Sequence, residues 1–276
     1  MGICRISGDT VTKTDLSVDI NQRQVFQRFE AKYIISDFQA EAIKDYIEPY
    51  VTTDPYAGDD GQYQVNSMYL DSPDLRMFWS SEMGEKNRFK LRVRSYSDDP
   101  EEPVSFEIKR RMDTTITKQR AHVPREFVEP ILRGSEIGPD VLVKPGDREM
   151  NNLCMFRDYM DMFAATPCIM VHYLREAYLS DLEEPARITF DRYLSCLPVE
   201  KYTPDVWAYG NGWRHVEDDV VVILEIKFTD VLPSWVGRLV QRFELIRDSI
   251  AKYVTCVKAV RRDGIHVGEL LENIAI

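Results

Sequence analysis

Four histidines and five cysteines are all the soft metal ligands in this 276-residue chain, and they are scattered. Cys-x-x-Cys and His-Glu-x-x-His are both absent, which removes the common zinc-site spacings. Cys4, Cys154, Cys168, Cys196 and Cys256 are odd in number and read as reduced thiols, mostly packing residues, of a cytoplasmic protein. Neither Gly-x-x-x-x-Gly-Lys nor Gly-x-Gly-x-x-Gly occurs, so the familiar nucleotide-binding loops are missing. No apolar run approaches the ~20 residues of a membrane span. Met1 to Asn21 is polar, without the apolar stretch of a secretory signal, and Ile6 stands where a myristoylation signal has Ser or Thr. An excess of positive charge is also lacking. Lys and Arg number 35 against 46 Asp and Glu, a net charge of −11, which argues against nucleic acid as the partner.

What the chain does contain is alternation. Strands are expected at Val25–Ile35, Gln62–Asp71, Arg88–Ser95, Val104–Arg111, Thr114–Val123, Ile169–Asp181, Arg187–Leu194 and Val220–Thr229. Helices are expected after the Ser36/Gln39 capping box, after Asp71-Ser72-Pro73, over Arg148–Phe163, and as one long element from Pro233 to about Val260. Residues 1–23 read as a mobile leader and 24–276 as a single domain. Strands that return without regular crossover helices favour an antiparallel sheet, hence an α+β fold.

The alternation segregates charge. On Arg88–Arg94 the apolar Phe89, Leu91 and Val93 point one way, and Arg88, Lys90, Arg92 and Arg94 the other. Four like charges on one strand face repel unless an anion or opposing acids neutralise them. The pattern recurs in Arg28, Glu30 and Lys32; in Glu107, Lys109 and Arg111; in Lys118, Arg120 and His122; in Tyr173 and Arg175; in Arg187, Thr189 and Asp191; and in Glu225 and Lys227. Any one pair suits a solvated sheet face. Repeated over seven strands, the pattern suits a closed antiparallel β-barrel of about eight strands with helices packed outside and a charged lumen. Such a lumen fits a phosphate chain. The glutamates among the cations suit a divalent cation, Mg²⁺ or Mn²⁺, shared with phosphate oxygens.

In order and spacing the motifs resemble the VTC domain, the polyphosphate-polymerase branch of the triphosphate tunnel (CYTH-like) superfamily. They are Arg28-x-Glu30-x-Lys32-Tyr33, Met68-Tyr69-Leu70-Asp71-Ser72, Lys90-x-Arg92-x-Arg94-x-Tyr96, Phe106-Glu107-Ile108-Lys109, Tyr173-x-Arg175-x-Ala177-Tyr178, Arg187-Ile188-Thr189-Phe190-Asp191, Leu224-Glu225-Ile226-Lys227 and Lys252-Tyr253. The resemblance implies a tunnel in which the terminal phosphate of a nucleoside triphosphate such as ATP passes to a polyphosphate chain with a divalent metal. By motif, Lys32, Arg92, Arg94, Lys109, Arg175, Lys227 and Lys252 would act on the phosphates, and Arg187 would line their path. Arg28, Lys90, Arg111, Lys118 and Arg120 join it by alternation. Glu225 would hold the metal, with Glu30 as a second ligand or a counter-ion of Lys32, while Glu107 pairs with Lys109 and Arg111. Arg28 stands where hydrolytic relatives carry Glu, and Ala251 where the family has Ser. The alternatives are a tri- or polyphosphate hydrolase and a non-catalytic polyphosphate- or nucleotide-binding module.

Overall fold

The structure, a computed structural model, describes residues 28–262 apart from positions 59, 114, 181, 183, 184 and 217–220, together with Gly264. The expected leader, Cys4, the side chain of Arg28 and the acidic stretch 217–219 lie outside the described residues. The strands are β1 (Arg28–Ser36), β2 (Thr52–Thr53), β3 (Gln62–Asp71), β4 (Asn87–Ser95), β5 (Val104–Met112), β6 (Thr115–Val123), β7 (Thr166–Ser180), β8 (Ala186–Pro198), β9 (Arg214–His215), β10 (Val221–Thr229) and β11 (Arg247–Asp248). The helices are α1 (Asp37–Ile47), α2 (Arg76–Glu82), α3 (Val128–Leu132), α4 (Asp147–Met162), α5 (Ser234–Arg242) and α6 (Lys252–Arg262).

All strands join one antiparallel sheet in the order β11-β1-β10-β8-β7-β3-β4-β5-β6, with β2 on β7 and β9 on β8. The expected closed barrel is corrected here: β6 and β11 are the two ends of the order and do not pair with each other. The sheet is open but strongly curled. Side chains at its two ends touch across the concave side, Lys109 Nζ on β5 lying 3.8 Å from Glu30 Oε2 on β1. Alternation fixes which face a side chain takes; closure depends on backbone register at the seam, which alternation does not encode.

Apolar faces of the strands are covered as periodicity requires. Helices α3 and α4 pack on the convex side of β4–β6, with Phe156 edge-on to Phe106 at 5.0 Å. Helices α1 and α5 cover β1, β8 and β10 through Ile43, Ile47, Trp235 and Leu239. The Ser36/Gln39 capping box forms as expected and starts α1 where β1 ends.

The end of the chain departs from expectation twice. The single long helix is two, α5 and α6, separated by β11, which pairs Arg247 and Asp248 with Tyr33 and Lys32. And α6 is not outside. It buries Tyr253, Cys256, Val257 and Val260 on the concave face, against Val65, Ile169, Val171, Leu194, Cys196 and Ile223. Both helices have an apolar stripe, and a stripe says that a partner exists, not which face of the sheet supplies it. The concave side is therefore divided: one end is an apolar seat filled by α6, the other is lined with charge.

Candidate functional site

Residues opposite each other on paired strands share a face, so the register assembles the site. On β4 and β5, Arg88 faces Arg111, Lys90 faces Lys109, Arg92 faces Glu107 and Arg94 faces Ser105. On β6, Lys118 faces Lys109 and Arg120 faces Glu107. On β3, Ser67 faces Arg94 and Tyr69 faces Arg92, while Tyr63 faces Arg175 of β7. Arg175 faces Asp191 of β8. Glu225 stands between Thr189 and Lys32, and Lys227 between Arg187 and Glu30. The curl brings these ladders together from both ends of the sheet, and α6 delivers Lys252 from its first turn.

Three carboxylates organise the cations. Glu107, with no exposed surface, binds Arg92 at 2.6 Å, Lys118 at 2.7 Å and Arg120 at 2.8 Å. These are not the expected partners Lys109 and Arg111: residues two apart on one strand are more distant than cross-strand neighbours. Burial alone would raise the Glu107 carboxyl, but Arg92, Arg94 and Lys118 hold it far below the usual carboxylate range. Asp191 accepts both arms of Arg175, at 2.6 and 2.8 Å, and binds Lys252 at 2.6 Å. Against the effect of burial, those cations bring its pKa down to about 2. Glu225 is 5 % exposed and contacts Lys227, with Lys32 at 3.7 Å. Lys32 also lies 3.1 Å from Glu30 and donates to the Ile250 carbonyl at 3.1 Å. Asp191 stabilises the fold above its ordinary pKa, and that stabilisation is lost as pH falls towards about 2.

The outer members are less enclosed. Arg187 is tied to Asp54 at 2.8 Å and Tyr63 at 3.1 Å at the rim. Arg111 is exposed at the β5–β6 turn and donates to the Asp113 carbonyl at 2.8 Å. Lys118 is half-exposed; its burial, with Arg92 beside it, lowers it to about 7 despite the shared Glu107.

Arg94 and Lys90, like the outer Arg88 and Arg111, have no carboxylate in ion-pair contact among the described residues. Arg94, 7 % exposed, donates to Ser67 Oγ at 2.9 Å and lies against the Tyr96 ring. Lys90 lies 5.9 Å from the Tyr253 ring centre. Burial, reinforced by Lys109, Lys32 and Arg88, lowers Lys90 to about 8. Tyr69 next to it is also at about 8: burial works to raise it, and Arg92, Arg94 and Lys90 outweigh that. In the empty protein the displaced Lys90 costs stability below about pH 8, and the cost fades as pH rises towards 10.5. A bound polyanion raises both groups again, so binding of tripolyphosphate at about pH 8.5 will take up protons. Calorimetry in two buffers of unlike ionisation enthalpy checks this. Equal heats in both would mean that the anion does not approach Lys90.

Sequence reasoning missed part of this site. Asp191 was visible only as a charged residue on the right face, because the partners that define its role come from β7 and α6. Tyr253 OH donates to Asp71 Oδ2 at 2.5 Å, and its ring stacks on Tyr69 at 4.7 Å, whose hydroxyl accepts from Arg92 at 3.1 Å. The same Asp71 carboxylate accepts from the backbone N–H groups of Ser72, Met77 and Phe78 and so anchors α2. It thereby ties α2 and α6 together and fixes the turn that carries Lys252. The motif residues were legible; a contact 182 positions apart was not.

Among the described residues no group of three or more His, Cys, Asp or Glu forms a self-sufficient metal cage. Glu225 and Glu30 nevertheless suit a hard cation shared with phosphate, because Mg²⁺-like ions use one or two carboxylates plus substrate oxygens. Two buried polar atoms beside them are orphaned, Thr189 Oγ1, which neighbours Glu225, and Arg187 Nε two residues earlier. Orphaned buried groups on one strand face fit a bound oxygen from phosphate or from the hydration shell of an ion.

None of the curated proteins matches this chain in sequence. Among solved structures it is similar to a putative adenylyl cyclase from Hippeastrum described as having a dominant triphosphatase activity, at 12 % identity and a TM-score of 0.45, covering 90 % of this chain and 100 % of that one. It is also similar to a protein of Pyrococcus horikoshii OT3, at 11 % identity and a TM-score of 0.41, covering 85 % and 98 % respectively. The family model described as the VTC domain matches residues 27–261, most of the chain. With that match and the ordered motifs on one concave face, the chain belongs to the VTC domain family.

Proposed function

We propose that this protein binds a nucleoside triphosphate and polyphosphate along the charged concave face and transfers the terminal phosphoryl group to the polyphosphate chain. The observation that carries the reading is the convergence of lysines and arginines from β1, β4–β8, β10 and α6 on one enclosed face, with Arg94 and Lys90 lacking any carboxylate in ion-pair contact among the described residues. Buried like charges repel, and a bound polyanion removes that cost while gaining charge-assisted hydrogen bonds.

Each group has a part in this reading. Arg92, held by Glu107, and Arg175, held by Asp191, present guanidinium forks whose orientation is fixed before the phosphate arrives. Arg94, Lys90 and Lys109 supply the charge that balances the phosphates. Lys252 and Lys32 flank Glu225 and Asp191, where charge develops as the phosphoryl group moves. Glu225, with Glu30, would hold a divalent cation, Mn²⁺ or Mg²⁺, which neutralises phosphate oxygens when bound. No helix among the described residues is long and apolar enough to cross a membrane.

Incubation of the purified protein with ATP and Mn²⁺, followed by separation of long-chain polyphosphate from free phosphate, tests the reading. Polyphosphate with matching ADP release is the expected result. Free phosphate alone makes the protein a hydrolase, and neither product makes it a binding module.

A further inference from the structure

Outside the ladders already described, a cavity of about 370 Å³ opens where the end of α2, the start of β4 and the exposed side of α6 meet. Among the described residues its cations are Arg88, Lys90, Lys258 and Arg262, and its one carboxylate is Glu82, paired with Lys258. Ser81, Ser249 and Thr255 add hydroxyls, and the rest of its lining is small or aliphatic. In a chain of net charge −11 this is a local reversal of sign.

Each cation also has a local use. Arg262 suits the last turn of α6, where a cation complements the helix dipole. Arg88 donates to the Glu85 carbonyl. Those uses do not account for the grouping. Arg88 faces Arg111 directly across β4 and β5, a like-charge rung that costs stability. The cavity also joins the main site at one residue: Lys90 lines it and is opposite Lys109 on the concave ladder.

We infer that this cavity is a second anion site, which takes the part of a linear polyphosphate that extends past the triphosphate-binding ladder. The inference rests on the reading given under Proposed function. Among the described residues no aromatic side chain lines the cavity, so they offer no stacking surface for a nucleobase, whereas cations interleaved with hydroxyls match a run of phosphate oxygens. Lys90 sits at the junction and serves both sections. The protein therefore discriminates by chain length: tripolyphosphate occupies the ladder alone, and longer chains reach the cavity.

The test uses the full chain and the double substitution Lys258→Gln, Arg262→Gln, two exposed side chains near the end of α6. Affinities for tripolyphosphate and for a long linear polyphosphate are measured by calorimetry at low salt, with thermal melting to confirm folding. The double variant should bind the long chain about tenfold more weakly, since two exposed charge contacts are lost, and tripolyphosphate within about twofold of wild type. Equal weakening of both ligands, or of neither, overturns the second site while leaving the main one standing. If wild type binds neither ligand, the proposed function fails and this inference with it. Should the double variant unfold, the single substitution Lys258→Gln gives the same comparison and the same criteria.

Discussion

Arg94→Met will weaken tripolyphosphate binding at least about tenfold and leave the protein folded, with a melting temperature close to that of wild type. The side chain is 7 % exposed and has no carboxylate in ion-pair contact among the described residues, with Ser67 Oγ as its hydrogen-bond acceptor. Methionine fills similar space without the charge. The empty site loses a repulsive neighbour of Arg92 and, against that, one of the cations that hold Glu107 as a carboxylate, so the two effects offset, while the bound anion loses a charge-assisted hydrogen bond of ~1.5–3 kcal/mol. Joint removal of Arg92 and Arg94 is a poorer experiment than the like-charge argument suggests. Arg92 is the 2.6 Å partner of the fully buried Glu107, and deleting one member of a buried pair costs about 3–5 kcal/mol of stability. Arg94→Met separates ligand binding from folding; the double variant confounds them. Calorimetric titration beside thermal melting decides the matter. Wild-type affinity in a folded Arg94→Met protein would place the phosphates elsewhere.

The second large effect is expected at Glu225. Glu225→Gln keeps the shape of the side chain and removes the anion. Turnover of ATP with Mn²⁺ should fall by two orders of magnitude or more, the scale of losing one principal electrostatic group at a reacting centre. Tripolyphosphate binding without metal should tighten, because Lys32 and Lys227 lose the carboxylate that now neutralises them. Mn²⁺ bound in the presence of tripolyphosphate, followed by electron paramagnetic resonance, should weaken in parallel. That readout distinguishes two roles for one residue. If Glu225 serves only as the ion-pair partner of the two lysines, metal-free binding still tightens, but Mn²⁺ affinity and turnover stay at wild-type values. Glu225 lies beside Glu30 and the orphaned Thr189 hydroxyl, oxygen donors that would suit a hard cation shared with phosphate.

Both predictions draw on the alternation of charge along the strands, which is a property of the sequence. Since neighbours on a strand point to opposite faces, Lys90, Arg92 and Arg94 had to share one, and the same holds for Glu30 with Lys32 and for Glu225 with Lys227. Several strand boundaries followed from the same period, although β7 starts three residues before the expected Ile169 and β8 runs four residues past the expected Leu194. Gln62–Asp71 was read as it stands in β3, and β4, β5 and β10 began or ended within a residue of expectation. The Ser36/Gln39 box, whose hydrogen bonds span three residues, was equally legible. Where an interaction is made between near neighbours in the chain, the sequence contains all of its parts.

Only the tertiary structure decided the rest. Glu107 has its partners on β4 and β6 rather than on its own strand, because the lateral spacing of strands is shorter than the two-residue step between same-face side chains along one. Asp191 became the anchor of Arg175 and Lys252 through its register opposite Arg175 on β7 and the arrival of α6. The sheet curls far enough for Glu30 to approach Lys109, yet stays open between β6 and β11. Helix α6 chose the concave face, where Tyr253 reaches Asp71 and Tyr69. Local chemistry set the face on which each side chain lies. The free energy of bringing distant faces together, spread over many weak contacts, set which of them meet.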